Sequence, residues 1–519
     1  MRKAFSRGLL AAGVFAAFAG YLFWVARFTV GGATGADETG YLGLARGLAQ
    51  GTLAEPLPLP PGVAPGEFSP WLFTPLGFAP RSAGDFPTMG SVYPPGLPFL
   101  QRWAYAATGD WERAARLVSL LHLGAALLLL GLLGRVLGLG AAESLASTAL
   151  FAVNPLVLRS FAANMSDGPA TTWLLAALVL AAWAGRRGGR WQGLGAFGAG
   201  VVLGLSLAIR PTNLLGLPAL VLLLGGRWKL LLAALAGLLA GATPLALYNG
   251  AAFGSPLRFG YGSLAERFHV RYMPARLGFS LRWLFVFLGA FGPALMVLPW
   301  PRDRVRRRLL LLAAASFLPF LLFYSLYWFT DRAWWFLRFL LPGLGPLFLA
   351  VGAGALALGD SVPRAWLRRL ARGSLLLALF ASAAFWDRKL AVFSLARQHR
   401  EVQQAVRSLL PAPSSGAMVV FCGELSGPVW FYTGFPLVRV DRASPQELAR
   451  LLHRLRQQQV HAVGLVSRGE LGYLSRLFPG LLYPLQQGSF VKAAVDLAWQ
   501  PPPPNRLPPS AKPSVVPVR

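Results

Sequence analysis

Long apolar segments that alternate with short arginine-rich connections are the strongest constraint on this chain. Most of them are long enough, at about 1.5 Å per helical residue, to cross a hydrocarbon core of about 30 Å. Hydrophobic residues make up 55% of the 519 residues and charged residues only 13%, whereas soluble domains carry about 25% charged residues. The pattern predicts a polytopic α-helical membrane protein.

Eleven segments fit transmembrane helices. The first resembles a signal peptide, but its apolar run continues past any cleavage site, which predicts an uncleaved span. Two short segments flank Arg210, so a re-entrant hairpin is an alternative there. The predicted segments are residues 8–28, 117–137, 144–161, 169–184, 191–209, 211–224, 230–248, 281–300, 309–328, 339–358 and 374–386.

The positions of the basic residues predict the orientation. The net charge of +29 could also indicate nucleic-acid binding, but these residues are scattered between apolar segments rather than gathered on a polar domain, so no nucleic-acid partner is expected. With a cytoplasmic N-terminus, the dense arginine clusters all fall in cytoplasmic loops. We therefore expect an integral plasma (inner) membrane protein with an extracytoplasmic C-terminus. The clusters are residues 186–190, 302–308 and 364–372.

The sequence divides into three parts. Residues 1–390 form the transmembrane module, which contains a long, proline-rich first outer loop at residues 29–116. Residues 391–500 alternate between strand-like and helix-like segments, which predicts a small extracytoplasmic α/β domain. Residues 501–519 are proline-rich and are expected to be disordered.

Cysteine and histidine usage argues against several kinds of site. Cys422 is the only cysteine, which excludes an internal disulfide and a cysteine-based zinc site. The five histidines show no H-x-x-x-H spacing, and each is interpreted as an ordinary surface or packed residue. No metal and no cofactor are predicted.

Acidic residues are scarce, 20 in the chain, so their positions are informative. Asp37 and Glu38 begin an amphipathic helix after the first segment, and Asp167 lies at the outer end of the third. A helix N-cap is the structural alternative for Asp37 and for Asp167. A charge deep in lipid costs about 2.5–3.5 kcal/mol, whereas carboxylates at segment ends can meet water and a polar substrate.

Arginines are predicted at the same outer face. Arg210, Arg332 and Arg338 lie near segment ends, where snorkelling to lipid headgroups is the structural alternative. The functional interpretation is a phosphate clamp, because a guanidinium fork matches phosphate oxygens. Together with the carboxylates, the arginines suit transfer of a lipid-linked phosphosugar: arginine stabilises the departing phosphate, and a carboxylate takes the proton of an acceptor hydroxyl. Attack opposite the leaving group would invert the anomeric carbon.

The motifs in this part of the chain resemble the C-type (GT-C) glycosyltransferases. Asp37-Glu38-Thr39-x-Tyr41 opens the amphipathic helix, Tyr93-Pro94-Pro95-Gly96 follows in the loop, and Asp167 comes after the third segment. The chain is similar to bacterial lipid A aminoarabinose transferases and to protein O-mannosyltransferase-like enzymes. Tyr248-Asn249-x-x-x-Phe253-Gly254-Ser255-Pro256-Leu257 and the Arg338-Phe339-Leu340-Leu341-Pro342 run also look like recurrent pieces of bacterial members.

The resemblance covers roughly residues 8–358 and implies a GT-C-like fold with about eleven transmembrane helices. It implies a polyprenyl-phosphate sugar donor and an envelope lipid, glycan or protein acceptor. Asp37 is implied to act as base or to position the acceptor. The other predicted site residues are Glu38 and Asp167 as catalytic acids, Arg210, Arg338 and Arg332 for the donor phosphate, and Tyr41 and Tyr93 for substrate positioning.

Two other classes of protein stay open at this point. A transporter or lipid flippase is the first, although no internal repeat is evident and the charges lie at segment ends rather than mid-membrane. A membrane scaffold whose tail recruits envelope partners is the second, and the concentration of scarce acids at one face argues mildly against it.

Overall fold

The structure consists of a helical bundle and a small α/β domain. It is a computed structural model that describes residues 2–83, 86–186, 188–289, 292–297, 304–409, 417–486 and 488–501. The predicted disordered tail, residues 501–519, lies outside the described residues except for its first. The helices before the domain are α1 (Arg2–Ala26), α2 (Ala36–Gln50), α3 (Gly96–Thr108), α4 (Trp111–Leu137), α5 (Ala141–Ala152), α6 (Pro155–Ala162), α7 (Asp167–Arg186), α8 (Arg190–Ile209), α9 (Leu217–Leu224), α10 (Trp228–Phe253), α11 (Leu264–Arg267), α12 (Met273–Phe287), α13 (Gly292–Val297), α14 (Arg304–Ser325), α15 (Leu341–Asp360) and α16 (Ala365–Lys389).

Within the described residues, seven helices are long and apolar enough to cross a membrane, and an eighth span results if the bent pair α5–α6 counts as one. Two predicted segments, at residues 8–28 and 211–224, correspond to shorter apolar helices. The predicted segment at residues 281–300 is covered only in part by described residues. The helical membrane class is confirmed, whereas the count of eleven and the orientation stay predictions.

Close backbone contacts explain why the bundle is rich in glycine. A Cβ atom at Gly200 would lie 1.9 Å from the Ala234 carbonyl oxygen, and one at Gly204 would lie 2.4 Å from that of Leu238. Helices α8 and α10 therefore pack backbone against backbone. In lipid, where helix association depends on such close packing rather than on the hydrophobic effect, small residues make it possible.

A three-stranded sheet lies in the first loop, the connection between α1 and α4. Its strands are β1 (Glu55–Pro56), β2 (Phe78–Ala83) and β3 (Phe86–Ser91), in the antiparallel order β1-β3-β2. The sequence analysis did not predict this sheet, because prolines at positions 56, 80 and 87 disfavour strands in general. A short three-stranded sheet is nearly all edge, where proline is tolerated.

The C-terminal domain contains a five-stranded mixed sheet. Its elements are α17 (Leu395–Arg407), β4 (Met418–Cys422), α18 (Ser426–Thr433), β5 (Leu437–Arg439), α19 (Pro445–Gln457), β6 (His461–Ser467), α20 (Arg468–Leu477), β7 (Leu482–Pro484) and β8 (Phe490–Val495). The strand order is β5-β4-β6-β8-β7, with β5, β4 and β6 parallel. The alternation of strand-like and helix-like segments predicted for residues 391–500 is thus present, and the Ser444 side chain caps α19.

The first loop completes the core of the C-terminal domain. Loop residues Phe68, Leu72 and Phe73 are buried in one cluster with Val419 and Leu451 of the domain. The backbone N–H of Ser69 also donates to Glu447, at 2.9 Å. The predicted boundary at residue 391 therefore marks a change of chain segment but not a separate core.

We expect Phe73→Ala to destabilise the loop and the domain together. Phe73 is 1% exposed, and removal of a buried phenylalanine side chain costs about 3–5 kcal/mol. Trp71→Ala in the same segment is the control, because Trp71 is 44% exposed. Urea unfolding in detergent, followed by limited proteolysis, measures the effect. Cleavage of the loop without the domain would contradict a shared core.

Glu470 gives the domain a pH-dependent stability. Burial raises the pKa of Glu470 from 4.5 to about 7, although the backbone N–H groups of Glu424 and Ser467 donate to its carboxylate and act in the opposite direction. The folded domain thus binds this proton more tightly than the unfolded chain. Its contribution to stability is present below pH 4.5 and is lost as pH rises through about 7.

We therefore expect the difference in melting temperature between the wild type and Glu470→Gln to change between pH 5 and pH 8. The wild type loses stability over this range relative to the variant, because glutamine does not titrate. Thermal unfolding of both proteins in one buffer series measures the difference. Parallel curves for the two proteins would contradict the assignment to Glu470.

Candidate functional site

Arg338 joins two of the predicted acids, which are 130 residues apart in the chain. Its Nη2 donates to Asp37 Oδ2 at 2.7 Å, and its Nε lies 3.2 Å from Asp167 Oδ2. The Arg338 side chain is 12% exposed, that of Asp167 3% and that of Asp37 28%. Two carboxylates at a poorly hydrated position repel each other, and the guanidinium between them offsets that repulsion.

Arg210 is the second cation of this group. It follows the last residue of α8 and donates through Nη1 to Asp167 Oδ1. Its Nη2 donates to the Tyr324 hydroxyl at 3.2 Å, and its Nε donates to Thr212 at 3.3 Å. Asp167 is thus bound by two arginines. A role as a helix N-cap alone, the structural alternative for Asp167, does not account for these contacts.

Asp37 lies in the first turn of α2, whose N-cap residue is Gly35. The alternative interpretation of Asp37 as the N-cap is therefore wrong. Its Oδ1 accepts a hydrogen bond of 2.5 Å from the Tyr93 hydroxyl. The Tyr41 ring packs against Tyr93, with 4.6 Å between centroids, and the Tyr41 hydroxyl donates to Ser166 next to Asp167.

Two glycines allow α2 to lie this close to Tyr93. A Cβ at Gly40 would lie 2.3 Å from the Tyr93 ring. Gly77 has a φ of +95°, and a Cβ there would lie 2.4 Å from the Ala36 carbonyl oxygen. The Ser91 hydroxyl donates to the Gly40 carbonyl at 3.0 Å. The first loop therefore fixes the position from which Asp37 reaches Arg338.

Glu38 points in a different direction from Asp37. Its Oε2 accepts from the Thr34 hydroxyl at 2.6 Å, and its Oε1 lies 3.3 Å from Nε2 of His399 on α17. Burial by itself would raise the pKa of Glu38, but His399 and the Thr34 donors outweigh it and hold that pKa below its usual value. Glu38 is therefore a buried carboxylate paired with His399.

A cavity of about 230 Å³ lies beside these residues. Its charged lining comes from four parts of the chain: Glu38 of α2, Arg159 of α6, Arg338 before α15, and His399 of α17. The Arg159 guanidinium lies 5.0 Å from the centre of the Trp335 ring, which also lines the cavity. A small polar or anionic molecule could bind here between two guanidinium groups and a His–Glu pair.

Six of the eight predicted site residues converge, and two do not. Arg332 is exposed and lies over the Trp328 ring, and Glu38 faces the cavity rather than Asp167. The six that converge are Asp37, Tyr41, Tyr93, Asp167, Arg210 and Arg338.

The sequence analysis missed Arg159 and His399. Arg159 lies inside a predicted transmembrane segment, and a charge in such a segment is by itself a signal for function. No sequence pattern links His399 to Glu38, 361 residues earlier. Within the described part of the chain, no three His, Cys, Asp or Glu side chains lie close enough together to hold a metal ion.

Comparisons with known proteins identify the fold. Residues 92–249 match the dolichyl-phosphate-mannose-protein mannosyltransferase family. The structure of ArnT from Cupriavidus metallidurans bound to undecaprenyl phosphate aligns with 95% of this chain and 99% of its own, at a TM-score of 0.58 and 15% identity. ArnT in the apo state aligns with 95% and 100% at a TM-score of 0.51 and 14% identity.

An archaeal protein shows a weaker likeness. The Archaeoglobus fulgidus oligosaccharyltransferase tethered with an acceptor peptide aligns with 92% of this chain and 74% of its own, at a TM-score of 0.49 and 13% identity. No curated protein sequence matches the chain significantly. The resemblance is confirmed at the level of the fold, because the chain aligns with ArnT over 95% of its length.

We expect Arg338→Gln to destabilise the protein, because it leaves Asp37 and Asp167 facing each other. Removal of one partner of a buried ion pair lowers the free energy of unfolding by about 3–5 kcal/mol. The loss here lies near the lower end of that range, because Asp37 is partly exposed. Arg332→Gln, at an exposed site, should change stability by less than about 0.5 kcal/mol. Adding Asp37→Asn to Arg338→Gln should restore part of the loss. Thermal unfolding in detergent measures all three, and additive losses would contradict the bridge.

Proposed function

We propose that this protein is an inverting glycosyltransferase that moves a sugar from a polyprenyl-phosphate donor to an envelope lipid, glycan or protein. The reaction takes place on the extracytoplasmic face of the plasma membrane, with the N-terminus in the cytoplasm. The observation that carries the proposal is the guanidinium of Arg338, which joins two carboxylates and also lines a cavity.

The comparisons support the donor class. The similar ArnT structure holds undecaprenyl phosphate, and the matching family is described by a dolichyl-phosphate-linked sugar. Both names describe a polyprenyl-type phosphate.

In the proposed reaction, an acceptor hydroxyl attacks the anomeric carbon of the donor. The bond between this carbon and the phosphate oxygen breaks, the electron pair leaves with the polyprenyl phosphate, and the hydroxyl proton passes to a base of the protein. Negative charge grows on the departing phosphate. Arg338 and Arg159, which both line the cavity, would stabilise this charge, because preorganised guanidinium groups need no reorientation as the charge develops. Arg210 shares the Asp167 carboxylate with Arg338.

The two aspartates would act mainly by organising the cations. Asp37 and Asp167 contact Nη2 and Nε of the Arg338 guanidinium, and Asp167 also pairs with Arg210. The Tyr93 hydroxyl donates to Asp37, and the Tyr41 hydroxyl donates to Ser166, the residue before Asp167. The two tyrosines thereby hold both aspartates in position. A misplacement of this group would weaken transfer even without a change in charge, since such reactions depend on alignment of the reacting groups.

We expect Asp37→Asn to lower the rate of sugar transfer at least 100-fold, because asparagine cannot hold the Arg338 guanidinium by charge. Purified protein in nanodiscs is mixed with a set of undecaprenyl-phosphate sugars and with membranes from a strain that lacks the protein. Mass spectrometry measures donor loss and glycosylated product. Asp331→Asn is the control, because Asp331 pairs with Arg276 and not with the site, and its rate should stay within about threefold of the wild type.

Two results would overturn this proposal. One is a wild-type protein that consumes no donor of the set but moves the lipid-linked sugar across vesicle membranes, as a flippase does. The other is full transfer activity in Asp37→Asn.

A further inference from the structure

Tyr261 is a further tyrosine at the site, and its hydroxyl is not used by the protein. The hydroxyl groups of three other tyrosines there, Tyr41, Tyr93 and Tyr324, each donate a hydrogen bond to a side chain. Among the described residues, the Tyr261 hydroxyl has no such partner. Tyrosine hydroxyl groups that are shielded from water are normally hydrogen-bonded. An unused donor beside a charged site therefore points to a ligand.

The Tyr261 ring belongs to the same apolar cluster as Tyr41 and Tyr93. It meets the Tyr93 ring edge-on, with 6.0 Å between the centroids. Burial raises the pKa of the Tyr261 hydroxyl well above its usual value; the Arg210 charge opposes this rise, and the Asp37 charge adds to it. The hydroxyl thus lies within electrostatic range of both charged groups and stays a neutral donor.

Two glycines bring Tyr261 to this position. Tyr261 lies in the connection between α10 and α12, residues 254–272. A Cβ at Gly260 would lie 2.6 Å from the Val92 Cα atom, so the backbone of this connection touches the first loop. Gly262 has a φ of +77°, a conformation that favours glycine. A residue with a side chain at either position would move the Tyr261 ring.

The motif at residues 248–257 supports the same part of the chain. The Asn249 side chain donates to the Pro256 carbonyl at 3.1 Å, which fixes the start of the connection. The Tyr248 hydroxyl donates to the Tyr93 carbonyl at 3.2 Å. The end of α10, the connection after it and the first loop therefore hold one another beside the two aspartates.

Arg210 has donors left for a ligand near Tyr261. A guanidinium group carries five N–H donors. Arg210 uses three of them, for Asp167, Tyr324 and Thr212. Two N–H groups therefore remain. Phosphate is the group that fits best, because it offers several acceptor oxygens and a negative charge to the guanidinium and to the phenol.

We propose that the Tyr261 hydroxyl donates a hydrogen bond to the phosphate of the polyprenyl-phosphate donor, at an oxygen that faces Arg210. This inference rests on the proposed function. When the bond between the anomeric carbon and the phosphate oxygen breaks, the electron pair stays on the phosphate. The hydrogen bond from the phenol strengthens as this charge grows. The phenol keeps its proton throughout, so Tyr261 is a donor and not the base.

The first test compares the binding of undecaprenyl phosphate to Tyr261→Phe and to the wild type. Phenylalanine keeps the ring against Tyr93 and removes only the hydroxyl. We expect the Kd, measured by native mass spectrometry in detergent, to rise about 10–100-fold, the range for loss of a hydrogen bond to a charged group. Undecaprenol, which lacks the phosphate, should bind both proteins equally. Tyr272→Phe is the matched control, because the Tyr272 hydroxyl accepts from the neighbouring Arg271, and its Kd should equal that of the wild type.

Kinetics and thermal unfolding separate a phosphate contact from a structural role. In the nanodisc assay, the kcat of Tyr261→Phe should fall about 10–100-fold with the donor KM within about threefold, because the departing phosphate carries more charge than the bound donor. The melting temperature should equal that of the wild type, since no hydrogen bond within the protein is lost. Gly260→Ala is the second variant: its methyl group would meet Val92 and displace Tyr261, and the Kd for undecaprenyl phosphate should rise as well.

The outcomes distinguish this inference from the proposed function. Equal affinity of Tyr261→Phe and the wild type for undecaprenyl phosphate overturns the inference alone. An equal loss of affinity for undecaprenol also overturns it, because the effect would then concern the lipid chain and not the phosphate. If the wild type consumes no donor, the proposed function fails, whereas a loss of undecaprenyl-phosphate affinity in Tyr261→Phe would still support the phosphate contact.

Discussion

The position of Arg338 between Asp37 and Asp167 is the interaction on which the site depends. Two carboxylates that are largely shielded from water are stable side by side only when a cation lies between them. The fork of a guanidinium can bind both at once, which the single ammonium group of lysine cannot do with the same geometry. Helices α2 and α7 and the segment before α15 are thereby joined at one point, at the edge of the cavity.

Uncharged residues hold Asp37 in position for this bridge. Gly40 and Gly77 let α2 lie against Tyr93, and Tyr93 in turn donates to Asp37. The first loop that carries Gly77 and Tyr93 also supplies Phe73 to the core of the C-terminal domain. The domain, α2 and the rest of the first loop therefore form one packed unit, and a change in one of them reaches the carboxylate at the site.

The two acids of the Asp37-Glu38 pair have separate surroundings because they are neighbours on a helix. Successive side chains of an α-helix are about 100° apart around its axis. Asp37 consequently faces Arg338 and Tyr93, whereas Glu38 faces Thr34 and His399. This separation gives one acid to the arginines of the site and leaves the other paired with His399.

Composition and pattern by themselves determined the helical membrane class and directed attention to the scarce acids. These properties depend on local sequence: an apolar run forms a helix in lipid whatever follows it, and a charge at its end is visible in the sequence. The motif around Asp37 and Tyr93 also indicated a GT-C-like fold, and the chain aligns with ArnT over 95% of its length. The strands of the first loop were missed because their prolines make them look like irregular chain.

Only the tertiary structure decided which of these residues meet. It brought Arg338 to Asp37 across 301 residues and left Arg332 exposed, although the two arginines lie six positions apart. It likewise placed Arg159 and His399 at the cavity, which no spacing in the sequence indicates. The physical reason is that charge pairing at a helix end depends on how the helices pack, and packing is set by contacts between segments that are far apart in the chain.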